Sequence, residues 1–82
     1  MNIIDILKSR ITKTAHLVLK NGENHDAGIK SINDNDNTVT YMHGQGLWKL
    51  KDAQNKGLPE KPILDDPNNY RTISIDDIAS VT

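Results

Sequence analysis

Hydrophobic and polar residues alternate in three short runs within residues 15–41, and two polar turns separate the runs. Alternation of this kind is typical of a β-strand with one buried face. Because strands that are linked by short turns pair antiparallel, the runs predict a three-stranded antiparallel meander. The residues predicted to share its buried face are Leu17, Leu19, Ala27, Ile29, Val39 and Tyr41.

The two turns and one glycine shape this meander. Asn21 and Gly22 both tolerate the positive φ angles of a tight turn. Residues 33–37 alternate Asn and Asp, whose short side chains bond to the neighbouring backbone and accept left-handed conformations. Gly28, inside the second strand, predicts a bend or a bulge.

A short amphipathic helix is predicted in front of the meander. Asn2 is a good N-cap, and Asp5 lies in the first turn, where its charge suits the positive end of a helix. Because a helix of about two to three turns is unstable alone, it must pack on the sheet. Its apolar face consists of Ile3, Ile6, Leu7 and Ile11.

Residues 71–81 predict the strands that complete the sheet. Ile73 and Ile75 alternate with polar residues, as in a strand. Ile78 and Val81 then recur three positions apart, which predicts a single 3₁₀ turn and a last short strand. Since a small meander is stable only when further strands or a helix close it, we expect these strands to do so.

The hydrophobic periodicity decays between residues 43 and 70, where glycines and prolines favour turns. A helical turn is expected at most within residues 49–56, because Gly57 and Pro59 would stop it. The sequence therefore predicts a long variable connection at 43–70 inside a single domain of residues 1–82. Connections of this length in small domains are commonly functional.

Composition narrows the class of protein. The chain has no cysteine, which excludes disulfides and thiolate metal sites. Its net charge of −1 argues against holding long nucleic acid through the overall field. Cations concentrate in residues 1–20 and carboxylates in residues 60–82, which fits a mixed solvated surface, an anion-binding face near the N-terminus, or complementary faces of neighbouring subunits. No run resembles a signal peptide or a membrane span, so we expect a soluble, cytoplasmic protein.

No pattern of residues indicates catalysis. The three histidines lack the short spacing of metal ligands. The pairs Asp65-Asp66 and Asp76-Asp77 would point to opposite faces of a strand, so spacing alone makes no acid-base dyad. No serine stands in a nucleophile motif, and Gly44-Gln45-Gly46 is too short for a phosphate loop. We expect no enzymatic activity, no metal and no cofactor.

The predicted order of elements resembles the Sm-like (LSm and Hfq) arrangement of small SH3-like barrels. With Gly28 as the family glycine, Asp34 takes the acidic position and Asn37 falls one residue early. With Ala27 there, Asn37 fits and Asn33 takes the acidic position. The resemblance implies a mainly β fold, a five-stranded antiparallel barrel behind an N-terminal α-helix. The matching segments are Leu17-Val18-Leu19-Lys20-Asn21-Gly22, Ala27-Gly28-Ile29 with Ile32, Asn37, and residues 73–81.

The resemblance also implies a function. Members of such a family pair their strand edges into a homo-oligomer, so we expect a non-enzymatic protein that binds a nucleotide or short RNA. Amides and carboxylates of the second turn would read base edges, and basic residues would hold phosphate. Trp48 fits two interpretations, a core residue or a ligand contact. The candidate ligand-binding residues are Asn33, Asp34, Asn37, Lys30, Trp48 and Arg71.

A second class of function stays open. The chain also fits a small inhibitor or accessory subunit, of the kind that mobile elements encode, that engages a host protein. Residues 43–70 and the acidic tail would then form the contact. A single protein partner that is lost when residues around Trp48 change would favour this alternative over the nucleotide-binding oligomer.

Overall fold

A five-stranded antiparallel sheet forms the body of the protein in the computed structural model, which describes residues 2–82. The strands are β1 (Thr14–Leu19), β2 (Asn24–Asn33), β3 (Thr38–His43), β4 (Tyr70–Ser74) and β5 (Ile78–Val81). The helices are α1 (Ile3–Ser9), α2 (Gly44–Lys56) and α3 (Lys61–Leu64), and 3₁₀ turns span Pro67–Asn69 and Ile75–Asp77. The strand order across the sheet is β4-β3-β2-β1-β5.

The sheet is strongly curved. β4 and β5 lie at its two edges, yet only the turn Ile75–Asp77 joins them. The chain from Ser74 to Ile78 reaches at most about 14 Å, whereas the edge strands of a flat sheet of this size lie about 19 Å apart. The sheet must therefore bend to bring its edges together at this turn.

The sheet nevertheless stays open. β4 pairs with β3 and β5 pairs with β1, and no ladder joins β4 to β5 within residues 2–82. The prediction of a closed barrel is therefore wrong, because the 3₁₀ turn leads from one edge ladder into the other without the hairpin geometry that a β4-β5 ladder needs. The predicted N-terminal helix and five antiparallel strands are confirmed.

The hydrophobic core lies on the predicted face of the sheet, called here the core face. Leu17, Ala27, Val39 and Tyr41 are fully buried, and the other predicted positions are nearly so. Helix α1 packs over this face and buries Leu7 completely. Its predicted cap is confirmed, since the Asn2 side-chain oxygen accepts a hydrogen bond of 2.9 Å from the Asp5 backbone N–H.

A bulge in β2 keeps the core face continuous. Ile29 pairs with Tyr41 and Ser31 pairs with Thr40, so Lys30 is the extra residue of the β2-β3 ladder. The sequence predicted a bend or bulge at Gly28, and the irregularity lies two residues beyond that glycine. Because the bulge resets the alternation, both Ile29 and Ile32 pack into the core.

Helix α2 was not predicted at this length. The segment expected to be a variable connection holds a helix of 13 residues that ends at Gly57, whose φ of 68° is the left-handed cap conformation. The helix packs on the opposite side of the sheet, called here the outer face. Gly28 lies beneath it, and a Cβ atom there would make an ordinary van der Waals contact, 3.6 Å from Leu47 Cδ1. With this helix the fold is α/β, and the prediction of a mainly β protein needs that correction.

Candidate functional site

An open groove lies between α2 and the outer face of the sheet, with a volume of about 380 Å³. The connection from α1 to β1 and the start of β1 form one side, α2 forms the other, and α3 and β4 close one end. Helix α2 crosses the sheet beside Gly28, which lines the groove without a side chain. Its lining residues are Thr12, Lys13, Thr14, Gly28, Ile29, Lys30, Met42, Leu47, Leu50, Lys51, Gln54, Leu64 and Tyr70.

The floor of the groove is apolar. Met42 and Leu47 are 3% and 7% exposed, and they meet beneath the helix beside Gly28. Leu64 is 42% exposed where α3 meets the groove. The Tyr70 hydroxyl donates a 2.7 Å hydrogen bond to the Leu64 carbonyl, which fixes the tyrosine ring at this end. An apolar ring or chain therefore finds contact surface along the floor.

Three lysines, Lys13, Lys30 and Lys51, line the groove. None of them lies within 4.0 Å of a carboxylate of residues 2–82, and no Asp or Glu lines the groove. The Lys30 ammonium lies 4.2 Å from the centre of the Tyr70 ring, a cation-π distance. The groove thus combines an apolar floor with a positive rim, which suits an anion that has an apolar body.

A second, more polar cavity of about 370 Å³ adjoins the groove. The two cavities share Thr14, Leu47 and Lys51, so they form adjoining chambers along α2. We call the groove itself the apolar chamber and the second cavity the polar chamber. The further residues that line the polar chamber are Arg10, Ala15, His16, Asp26 and Thr82.

His16 and Asp26 form an exposed pair at the polar chamber. His16 Nδ1 lies 3.0 Å from Asp26 Oδ1, and His16 Nε2 lies 3.2 Å from Asn24 Oδ1. The hydrogen bond to Asp26 is the main cause that raises the pKa of His16, and the one to Asn24 adds to it. The bond from His16, with a smaller contribution from Lys51, lowers the pKa of Asp26. The pair therefore favours a protonated His16 beside an ionised Asp26.

Three of the predicted site residues form the turn between β2 and β3. Asn33 Oδ1 accepts hydrogen bonds from the backbone N–H groups of Asn35 and Asp36 at 3.0 and 3.2 Å. Asp34 lies 3.3 Å from the Lys8 ammonium, and Asn37 adopts a φ of 55°. Asn33 thus serves the local turn, Asp34 connects it to α1 and Asn37 supplies a left-handed turn residue, and none of the three lines the groove.

The structure separates the other three predicted residues. Lys30 lines the groove on the outer face. Arg71 pairs in register with the buried Tyr41 and lies on the core face, with Nη1 3.6 Å from Glu23 Oε2. Trp48 is 67% exposed on α2, so the interpretation of Trp48 as a core residue is wrong. The six predicted residues do not converge on one place.

A polar cluster closes one end of the core face. The rings of His25, Tyr41 and His43 lie 5.7–6.2 Å apart, and Glu23 Oε2 lies 3.0 Å from His25 Nε2. Burial, followed by the Arg71 charge and by His25, lowers the pKa of His43. His16 lies apart from this cluster, and residues 2–82 hold no group of three or more His, Asp or Glu side chains placed to bind a metal ion.

Most residues of the groove were missed from the sequence. Lys13, Lys51, Met42, Leu47 and Tyr70 become neighbours only because α2 folds back over the sheet. A signal was present, since Leu47, Leu50 and Gln54 lie on one face of a helix at spacings of three and four. The glycines at both ends of this segment disfavour a helix, so a helix of this length was not predicted.

No protein-family model, curated protein or solved structure matches this chain. Within residues 2–82, the helices are too short or too polar to traverse a lipid bilayer. The arrangement of side chains in the groove is therefore the main basis for a functional hypothesis.

Proposed function

We propose that this protein is a non-enzymatic binding protein that holds a nucleotide or a short RNA in the groove between α2 and the sheet. The observation that carries the proposal is the set of three lysines without carboxylate partners around an apolar floor. A phosphate needs such cations, and a base needs an apolar surface to lie on.

The size and shape of the groove support a small ligand. Its volume of about 380 Å³ falls in the range of about 300–1,000 Å³ that is typical of small-molecule sites. Tyr70, Met42 and Leu47 offer contact to the faces of a base, and stacking on an aromatic ring is worth about 1–3 kcal/mol per base. A longer RNA would engage the groove with one nucleotide at a time.

The test is a calorimetric titration of the protein, once with a nucleoside monophosphate and once with a short single-stranded RNA. Lys30→Gln and Lys51→Gln should each weaken binding about tenfold, because each removes a positive charge that lines the groove. Lys49→Gln is the matched control, since Lys49 does not line the groove. Equal affinities for all three variants and the wild type would contradict the proposal.

We also propose that copies of the chain assemble through the edges of the sheet, in an open variant of the Sm-like arrangement. The support is that β4 and β5 each have one strand neighbour within residues 2–82, so each presents unpaired backbone groups. Pairing of β4 with β5 of the next copy would satisfy these groups and close a ring. Light scattering should give a mass several times 9.2 kDa. A monomer at all concentrations would contradict assembly but leave the groove untouched.

One observation favours a second function, the binding of a host protein. Trp48 is 67% exposed and Leu58 is 53% exposed, and large exposed apolar side chains are common at protein interfaces. Under this alternative, Trp48→Ala abolishes the capture of one defined partner and leaves nucleotide affinity unchanged. Under the first proposal, Trp48→Ala changes neither assembly nor nucleotide binding.

A further inference from the structure

We infer that the ligand carries a phosphate group that binds in the polar chamber, while its base or other apolar part lies in the apolar chamber. This inference rests on the proposed function, because it specifies how a nucleotide would lie in the same site. It names a phosphorylated nucleoside as the ligand class and excludes a bare nucleoside as the preferred ligand.

The first support is the division of the cavity. The apolar chamber is lined by Met42, Leu47 and Tyr70, whereas the polar chamber is lined by Arg10, His16 and Asp26. Lys51 lies in the lining of both chambers. A ligand that fills both must be apolar at one end and polar at the other, with a negative charge near Lys51.

The second support is the charge of the polar chamber. Arg10 and Lys51 have no carboxylate within 4.0 Å among residues 2–82. The Arg10 guanidinium makes one long contact of 3.5 Å to the Thr14 carbonyl, which leaves its other N–H groups for a ligand. Asp26, the acidic side chain of this chamber, is engaged by His16 at 3.0 Å.

The third support is the chemistry of these groups. A guanidinium donates two parallel hydrogen bonds to a phosphate, and a lysine ammonium adds a point charge. The His16-Asp26 pair lies at the same chamber, but Asp26 and Asn24 already engage both imidazole nitrogens, so Arg10 and Lys51 supply the free donors. A carboxylate ligand would use fewer of these donors than a phosphate with three oxygens, so the phosphate is the better fit.

The experiment compares three ligands by calorimetry at one salt concentration: a nucleoside, its 5′-monophosphate and inorganic phosphate. The monophosphate should bind the wild type at least about tenfold more tightly than the nucleoside. Arg10→Gln should remove this advantage and leave the nucleoside affinity unchanged. Lys49→Gln, outside both chambers, should behave as wild type.

The outcomes separate the inference from the proposed function. If the nucleoside and the monophosphate bind equally well, the inference is overturned and nucleotide binding in the groove survives. If inorganic phosphate binds as tightly as the monophosphate, the polar chamber is a simple anion site and the inference is also overturned. If none of the three binds, the proposed function fails with it. Since Arg10 is a surface side chain, circular dichroism of the variant should match the wild type.

Discussion

Tyr41 is the largest fully buried side chain among residues 2–82, and its hydroxyl has no hydrogen-bond partner in them. Burial raises the pKa of this phenol, and Arg71, through its charge and its approach to the hydroxyl without hydrogen-bond geometry, offsets part of the effect. An unpaired buried hydroxyl costs about 1–3 kcal/mol of stability. The ring fills the core, and the hydroxyl adds a cost that a phenylalanine would avoid.

Tyr41→Phe should therefore raise the free energy of unfolding by about 1 kcal/mol, measured by urea denaturation. Tyr70→Phe is the matched control, because the Tyr70 hydroxyl donates to the Leu64 carbonyl at 2.7 Å. That control should lose about 1 kcal/mol. A loss of stability in Tyr41→Phe would mean that the Tyr41 hydroxyl has a partner after all.

The His16-Asp26 pair should make stability depend on pH. Because the pKa of His16 is raised in the folded protein, His16 contributes fully to the free energy of unfolding below the pKa of an unfolded histidine. That contribution disappears as the pH rises through the pKa of His16 in the folded protein. Because the pKa of Asp26 is lowered in the folded protein, its contribution to the free energy of unfolding disappears as the pH falls through the pKa of this carboxyl group in the folded protein. The pair therefore stabilises the fold most in the mildly acidic range between the two.

Asp26→Asn should lower the pKa of His16 toward its ordinary value of about 6.5. An NMR titration of the imidazole protons measures this pKa. The stability difference between wild type and variant should shrink as pH rises through the range in which His16 loses its proton. His43 serves as the internal reference, since its pKa depends on burial and on Arg71. An unchanged His16 titration would show that the pair does not form in solution.

Single residues of the candidate site were poorly predicted from the sequence, and the reason is physical. Asn33 and Asp34 looked available because amides and carboxylates recognise bases, but the turn and Lys8 already engage them. Lys30 was predicted to hold the phosphate of a ligand at the turn of residues 33–37, whereas it lines the groove on the outer face. Which polar groups stay free is decided by contacts between elements, and alternation along the chain does not encode those contacts.

At the scale of elements, the strands follow from alternation, whereas α2 depends on tertiary packing. Gly44 and Gly46 lower its helix propensity, each by about 1 kcal/mol relative to alanine. Gly46 is needed because a Cβ there would lie 2.8 Å from Asn69 Cβ and 3.0 Å from the Asn69 carbonyl oxygen. Asn69 packs against α2 at Gly46 and donates to the Ile63 carbonyl of α3 at 2.9 Å, so it connects the 3₁₀ turn to both helices.

Gly46→Ala tests this packing. Although alanine favours a helix, the close contact with Asn69 should dominate and lower the free energy of unfolding by about 1–2 kcal/mol in urea denaturation. Gln45→Ala, at an exposed position of the same helix turn, is the control and should leave stability unchanged or slightly raise it. If Gly46→Ala is as stable as the control, α2 does not pack on the turn as described.

At the scale of the whole molecule, the sequence predicted which elements complete the meander but not that the sheet stays open. The sequence indicated a strand, a 3₁₀ turn and a last strand, and all three are present, but the turn is Ile75–Asp77, and Ile78–Val81, whose spacing suggested the turn, form the last strand. Whether the two edge strands pair depends on the angle between them at the turn. The spacing of apolar residues along the chain does not determine that angle. The open sheet leaves one face for the core and one face for α2 and the groove.

The central claim is that the outer-face groove binds a nucleotide, and an NMR titration of ¹⁵N-labelled protein with a nucleoside 5′-monophosphate tests it most directly. The account predicts that the amide signals of Gly28, Lys30, Leu47 and Lys51 shift together and saturate, because these residues surround the groove. Signals that shift only in the turn at residues 33–37, or that do not shift at all, would contradict it.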